Sequence, residues 1–413
     1  MIDLFALGRG AQSVCALAAL FGCASLICPA QSLLEGSAPG SAPILRQDVL
    51  AAFESTEPLK ALSCAVTTQK PVLGLDLKFH AGYQLAIPVQ ELQPGDSVTL
   101  LLRITPKTTP NSQFYFQDRF RITTTKEQAN GVAFIPGRVA LGSGAYRMEL
   151  LMHDGASRFC STSWDITASL GAKDKNVALA LEEGAASPVP LDLFLPEPPV
   201  QKAEQSPLNI KILANFAPRS KGAAAIDERD TEAMLSILRS ISRHPGVGKI
   251  SLSAFDLYEE RIVFKQPNSK QIDFPALGQA LKQLKPGTVG LDQLLDKHGS
   301  GDFLAGLLQD GSDAKEGTAP DAVIFVGPKA FANAESENLK SIRNLGCPVF
   351  YFNYVDDPQA APWRDDIGKV TKSLGGREFL ISGPRDLWNA VSDSVVKLFN
   401  VRTSALGAKE GLQ

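Results

Sequence analysis

The chain has 413 residues, enough for two or three domains at roughly 100–200 residues each. Its 44% hydrophobic and 21% charged content is that of a globular protein. A formal net charge of −3, with no run of Lys or Arg, argues against a dedicated binder of nucleic acid or of an anionic membrane surface, which needs a concentrated basic face.

The first 30 residues read as a secretory signal. Arg9 supplies a positive start, Val14 to Ile27 is apolar and uncharged, and Cys28-Pro29-Ala30 offers the small residues that a signal peptidase reads. The apolar run is shorter than the roughly 20 residues that span a bilayer. The mature chain is therefore expected to be exported, periplasmic or secreted, with no transmembrane helix. An alternative is a lipoprotein anchored through Cys23, because Leu20-Phe21-Gly22-Cys23 is similar to a lipobox, although Phe21 fits it poorly. Three of the six cysteines fall in or beside this segment, and the mature chain keeps Cys64, Cys160 and Cys347. Export permits disulfides. Cys64 and Cys160 lie near the two ends of a β-rich region and are expected to pair. Cys347 precedes an apolar run and reads as a buried free thiol.

Residues 31–58 read as a flexible lead-in, weakly helical around Ile44–Phe53. Residues 59–170 have period two. Leu73, Leu75, Leu77 and Phe79 alternate with Gly74, Asp76, Lys78 and His80, and Val98, Leu100, Leu102 and Ile104 alternate with Thr99, Leu101, Arg103 and Thr105. Such alternation turns one face to a core and one to water. Turn signals at Pro94-Gly95-Asp96, Asn130-Gly131, Gly142-Ser143-Gly144 and Asp154-Gly155 divide the region into short strands, which predicts an antiparallel β-sandwich with Trp164 in its core. Residues 171–207 are a Pro/Ala-rich linker, with Val177–Leu181 as one more possible strand.

From 208 to 400 strand and helix alternate, ahead of a tail at 401–413. Ile210–Phe216 is a strand, and a helix opens at the acidic Asp227–Asp230. Ile250–Leu257 and Ile262–Phe264 form an expected hairpin at a sheet edge. Asp273 and Pro275 start another helix, and Thr288 to Asp310 is helical with a break at Gly299-Ser300-Gly301. Ala322–Val326, Val349–Phe352 and Phe379–Ile381 are continuous apolar strands, and Asp386–Phe399 is the last helix. Apolar strands between amphipathic helices predict a doubly wound, mainly parallel sheet covered on both faces.

This order, with its edge hairpin, resembles a von Willebrand factor A-like domain. The segments Asp321–Lys329, Pro348–Tyr354, Pro362-Trp363-Arg364-Asp365, Pro384–Trp388 and, in the β-rich half, Phe79-His80-Ala81-Gly82-Tyr83 are also similar to an uncharacterised group of secreted bacterial proteins with such domains. That group implies an architecture and no activity. Metal-binding members of the family carry Asp-x-Ser-x-Ser after the first strand, a Thr at a middle helix and an Asp after the fourth strand, oxygen ligands for a divalent cation. Here the first loop reads Asn215-Phe216-Ala217-Pro218-Arg219-Ser220, and Gly327-Pro328 stands at the position of the last Asp. Only Thr288 matches, so no metal is expected.

Ligands of open α/β sheets bind beyond the carboxyl ends of the strands. Those ends carry Asn215, Arg219, Ser220, Lys329, Asn353, Asp356 and Asp357, with Thr288 nearby and Phe216, Tyr354 and Trp363 for apolar contact. Catalytic motifs are missing: there is no Gly-x-Ser-x-Gly elbow, paired-His motif or Walker loop, and His298, Ser300 and Asp302 are too close in sequence to form a triad alone. Arg364-Asp365 and Arg385-Asp386 read as carboxylates at helix starts with structural ion pairs. The expected function is a non-enzymatic, cofactor-free protein-binding or assembly module of the cell envelope or exterior, with a degenerate metal-ion-dependent adhesion site. The alternatives are a hydrolase or transferase with an unfamiliar site, and a metal-dependent adhesion protein.

Overall fold

A computed structural model of the chain describes residues 32–33, 47–55 and most of 59–410; the longer stretches outside it are 1–31, 34–46, 123–130, 284–298, 311–318, 333–341 and 357–362. The fold mixes α and β structure in three sheets. The expected signal segment and Thr288 lie outside the described residues. No helix among the described residues is long and apolar enough to cross a membrane.

The β-rich half holds two five-stranded antiparallel sheets. The first runs β1 (Ser32–Leu33), β6 (Phe114–Arg121), β5 (Ser97–Pro106), β8 (Gly144–His153), β9 (Phe159–Ala168). The second runs β10 (Ala186–Pro188), β7 (Val132–Leu141), β4 (Phe79–Pro88), β2 (Ala65–Thr68), with β3 (Val72–Leu73) also on β4. Alternate residues of β4 (Phe79, Ala81, Tyr83, Leu85, Ile87) meet alternate residues of β5 and β8 in one core. Each large aliphatic or aromatic side chain so buried stabilises by about 1.5–3 kcal/mol. Trp164 is half-buried and packs its ring against Tyr83 at 6.0 Å. Asp118, on the core-facing phase of β6, is buried with Oδ1 unbonded, and desolvation pushes its carboxyl up to about 6.

Three sequence expectations change here. The alternation from Leu73 to Phe79 is interrupted: a turn follows β3, with Gly74 N bonded to Lys78 O and Leu77 at φ +60°, before β4 begins. Val177–Leu181 is not a strand; Ala186–Pro188 pairs with β7 instead. Part of the lead-in is structured. Helix α1 (Gln47–Glu54) buries Val49, Ala52 and Phe53 against Leu101 and Leu151 on the outer face of the first sheet. That helix explains why Leu101, in the polar phase of β5, is apolar.

Cys64 and Cys160 form a disulfide with Cα atoms 6.2 Å apart. Leu59 and Leu62 bond to β9, through Leu62 N to Phe159 O and Ser161 N to Leu59 O, and the chain then crosses to β2 of the other sheet. The bridge fastens that crossing. Cys347 is a half-buried free thiol, its pKa pushed up by burial.

The third sheet has six strands in the order β13 (Arg261–Ser269), β12 (Val247–Asp256), β11 (Leu208–Asn215), β14 (Ala322–Pro328), β15 (Val349–Tyr354), β16 (Arg377–Ile381). All neighbours are parallel except the edge hairpin β12–β13. Helices α2 (Glu228–Arg243), α3 (Phe274–Lys282) and α6 (Pro384–Glu410) bury Met234, Leu238, Phe274, Leu387 and Val391 on one face. Helices α4 (Gly299–Gln309) and α5 (Asp366–Ser373) bury Leu304, Leu308, Ile367 and Val370 on the other. Asp227 and Asp273 cap α2 and α3 by accepting from Arg229 N and Ala276 N.

Candidate functional site

Parallel strands deliver their carboxyl ends to one edge, where the backbone leaves the ladder and loops gather. On β11, β14 and β15 this edge is polar. The register sets Ala214 beside Val326 and Gly327 beside Asn353, so Asn215, Gly327 and Asn353 form one row across three strands. Both asparagines are fully buried. Asn215 Oδ1 accepts from Ala217 N (3.1 Å) and Leu257 N (3.2 Å), which pins the first loop to the second strand. Asn353 Nδ2 donates to Glu378 Oε1 at 2.8 Å. Those partners fix both amide orientations. They leave Asn215 Nδ2 and Asn353 Oδ1, a donor and an acceptor, buried without a partner. Gly327 lets β11 and β14 approach closely here: a Cβ would stand 3.0 Å from Asn215 Cβ and 3.1 Å from its carbonyl oxygen, tighter than ordinary contact. The expectation that Asn215 and Asn353 contact a partner at the rim is therefore corrected: they are internal fasteners.

Arg219 is also turned inward. Its Nε and Nη2 donate to the two oxygens of Asp230, at 2.8 and 2.6 Å, in a bidentate pair, and Nη2 lies 3.2 Å from Asp356 Oδ2. The guanidinium sits 5.4 Å from the ring centroid of Tyr354, whose hydroxyl donates to Asp356. Burial pushes the Tyr354 hydroxyl up, so it stays protonated as that donor. The bond to Asp230 raises the Arg219 pKa further. Arg219 is 37% exposed and Asp230 3%, so the acid is the costlier group to strand. Arg219→Met is expected to lower stability by about 2–3 kcal/mol, and Arg219→Met/Asp230→Asn by less than the sum of the single changes. Urea unfolding of the four chains measures this; strict additivity would show that the pair is not coupled.

Two loops beyond the fourth and fifth strands are fastened to each other. Asp365, fully buried, accepts from Ala330 N (3.1 Å), from Gly368 N (2.9 Å) as the cap of α5, and from the buried Tyr351 hydroxyl (2.9 Å). Asp366 accepts from Ala332 N, and Lys329 Nζ donates to Trp363 O at 3.0 Å. Tyr258, from the hairpin turn, accepts from Phe331 N and donates to the carbonyl of Arg219. On this braced ground Trp363 is 71% and Phe331 43% exposed. Ser220 is exposed in the bend after Arg219, its carbonyl accepting from Ala223 N.

Of the seven expected rim residues, then, Ser220 and Trp363 face outward. Lys329 is half-buried and bonded, Arg219 is partly covered, Asn215 and Asn353 are buried, and Thr288 lies outside the described residues. The roles of Asp230, Tyr258 and Phe331 were not anticipated. The helical spacing of Asp227 and Asp230 was visible, but the partner of Asp230 was not. Ser300 donates to Glu260 Oε1, and His298 lies outside the described residues. Among the described residues no group of three or more His, Cys, Asp or Glu is arranged to hold a metal ion.

No family model and no curated protein matches the chain. Among solved structures, a calcium-binding mutant of β-glucuronidase 2 from Bacteroides uniformis aligns over 76% of this chain and 38% of its own, with 9% identity and a TM-score of 0.18. A glycosyl hydrolase family 2 member from Bacteroides cellulosilyticus aligns over the same shares with 14% identity and a TM-score of 0.19. The chain thus spans 38% of the length of each of these structures. Likenesses at such scores carry no argument about this protein's fold or chemistry.

Proposed function

We propose that the protein is an exported, non-enzymatic protein-binding module in which a β-sandwich carries a von Willebrand factor A-like domain, and that the strand-end rim of that domain docks another protein without a metal. The order β13-β12-β11-β14-β15-β16, with an antiparallel edge strand, supports the architectural part. The observation that carries the functional part is the pair Trp363 and Phe331, exposed at 71% and 43% on loops held by buried carboxylates. Large aromatics on a pre-organised surface lose little freedom on docking and dominate binding where they are buried by a partner. The carboxylates beneath them, Asp365 and Asp366, are committed to internal bonds, so recognition rests on these rings and on shape.

The test compares capture from the native envelope by the wild type and by Trp363→Ala/Phe331→Ala, with circular dichroism confirming the fold. One specific protein is expected to co-purify in stoichiometric amount and to bind the variant about 30-fold more weakly. Equal affinity for both chains would remove this face from the function.

A further inference from the structure

A cleft of about 400 Å³ lies between the β-rich half and α2. Its floor is the outer face of the second sheet. There Gly82 pairs with Arg138 across β4 and β7, and His80 lies two residues before Gly82 on the same face. Lys70 stands at the floor's margin, and Arg229 and Glu232, one helical turn apart on α2, form the opposite wall. The turn after β3 builds this place: Leu75 packs on the core of the α/β half, and Asp76 in the same turn bonds His80 Nε2 at 2.9 Å.

The lining is chemically selective. Lys70, Arg138 and Arg229 are exposed, and among the described residues none of them is in an ion pair. Two carboxylates face them. Asp76 is engaged by His80, and the imidazole beside it helps hold its carboxyl below the usual range against desolvation, which pushes the other way. Glu232 is exposed on α2. A second feature is independent of the cations. His80 Nδ1 is buried and bonded to nothing. A carboxylate accepts only, so His80 Nε2 carries the proton of that bond, and Nδ1 is the ring's second polar atom, left without a partner.

We infer that this cleft binds a small hydroxylated polyanion, a hydroxy polycarboxylate or a sugar phosphate. Its anionic groups pair with Lys70, Arg138 and Arg229. Its hydroxyl, donor and acceptor at once, bonds His80 Nδ1 or donates to Glu232, a group that would repel a bare anion. Residues from both halves are needed, so the ligand also fixes how the halves meet. The site is separate from the Trp363–Phe331 rim and stands or falls independently of it.

Calorimetry on the full chain with four probes tests this: citrate, its analogue tricarballylate, which lacks the hydroxyl, glucose 6-phosphate and inorganic phosphate. Citrate is expected to bind at least about tenfold more tightly than tricarballylate, or glucose 6-phosphate than inorganic phosphate, which lacks the sugar hydroxyls, and the tighter of citrate and glucose 6-phosphate identifies the source of the anion. Arg138→Gln/Arg229→Gln, both at exposed side chains, is expected to weaken that ligand at least about tenfold, and Trp363→Ala to leave it unchanged. No heat from any probe with the wild type, or undiminished binding to the double variant with its fold intact by circular dichroism, would overturn the site. Equal binding of citrate and tricarballylate, and of the two phosphates, would overturn the hydroxyl assignment.

Discussion

A Cys64→Ala/Cys160→Ala chain is expected to be less stable than the oxidised wild type by up to about 4–5 kcal/mol. The two residues are 96 apart in sequence, so the bridge closes a loop that holds most of both sheets of the β-rich half. Cross-linking so long a segment restricts the unfolded chain far more than the folded one. In the folded state the crossing is already held by Leu59 N to Ser161 Oγ, Ser161 N to Leu59 O and Leu62 N to Phe159 O. The variant is therefore expected to keep native circular dichroism while its urea midpoint falls. Alanine avoids burying a hydroxyl at Cys160, which lies in the core. An unchanged midpoint would mean that residues 59–64 fasten the crossing alone.

Asp365→Ala is expected to cost about 3–5 kcal/mol. The substitution removes the cap of α5, worth about 1 kcal/mol. It also leaves Ala330 N buried without its acceptor and the Tyr351 hydroxyl with only the Pro328 carbonyl, 3.5 Å away, at about 1–3 kcal/mol each before relaxation. The same carboxyl has a pH signature. Desolvation pushes it up to about 6 despite its three donors. A carboxyl raised on folding binds its proton more tightly in the native state, so its contribution favours folding least when it is ionised. Stability from this group therefore falls as pH rises from about 4 to about 6 and is flat above. Asp365→Asn cannot titrate, so the stability difference between variant and wild type should shift in the variant's favour across that window. Urea unfolding at pH 4.5 and pH 7 measures it. A difference independent of pH would show that Asp365 is ionised throughout.

Much of the fold was readable because its signals are local. The apolar runs Ala322–Val326 and Val349–Phe352, the caps Asp227 and Asp273, and the hairpin ending in β13 each depend on residues within a few positions of one another. The cysteine pair was readable for a different reason: only Cys64 and Cys160 lie in the β-rich region, near its ends. The failures are tertiary. Leu101 falls in the polar phase of β5, and only the docking of α1 shows why it is apolar. At the strand ends the sequence placed the right loops together but not the directions of their side chains. Arg219 pairs with residues 11 and 137 positions away, and nothing in its own loop distinguishes an inward guanidinium from an outward one. Asp365 looked like one more helix-start carboxylate, and it is one, but its bond to Tyr351 and its hold on Ala330 arise only when three elements meet.

The bridge from Arg219 to Asp230 and Asp356 has a further consequence. A guanidinium that belongs to the chain is present once per molecule and cannot dissociate. The group that links these loops is thus covalently part of the chain, and its partners lie 11 and 137 positions away in sequence. Once the chain has folded, the position of the first loop against α2 and the loop after β15 is fixed by an ion pair that the sequence itself encodes.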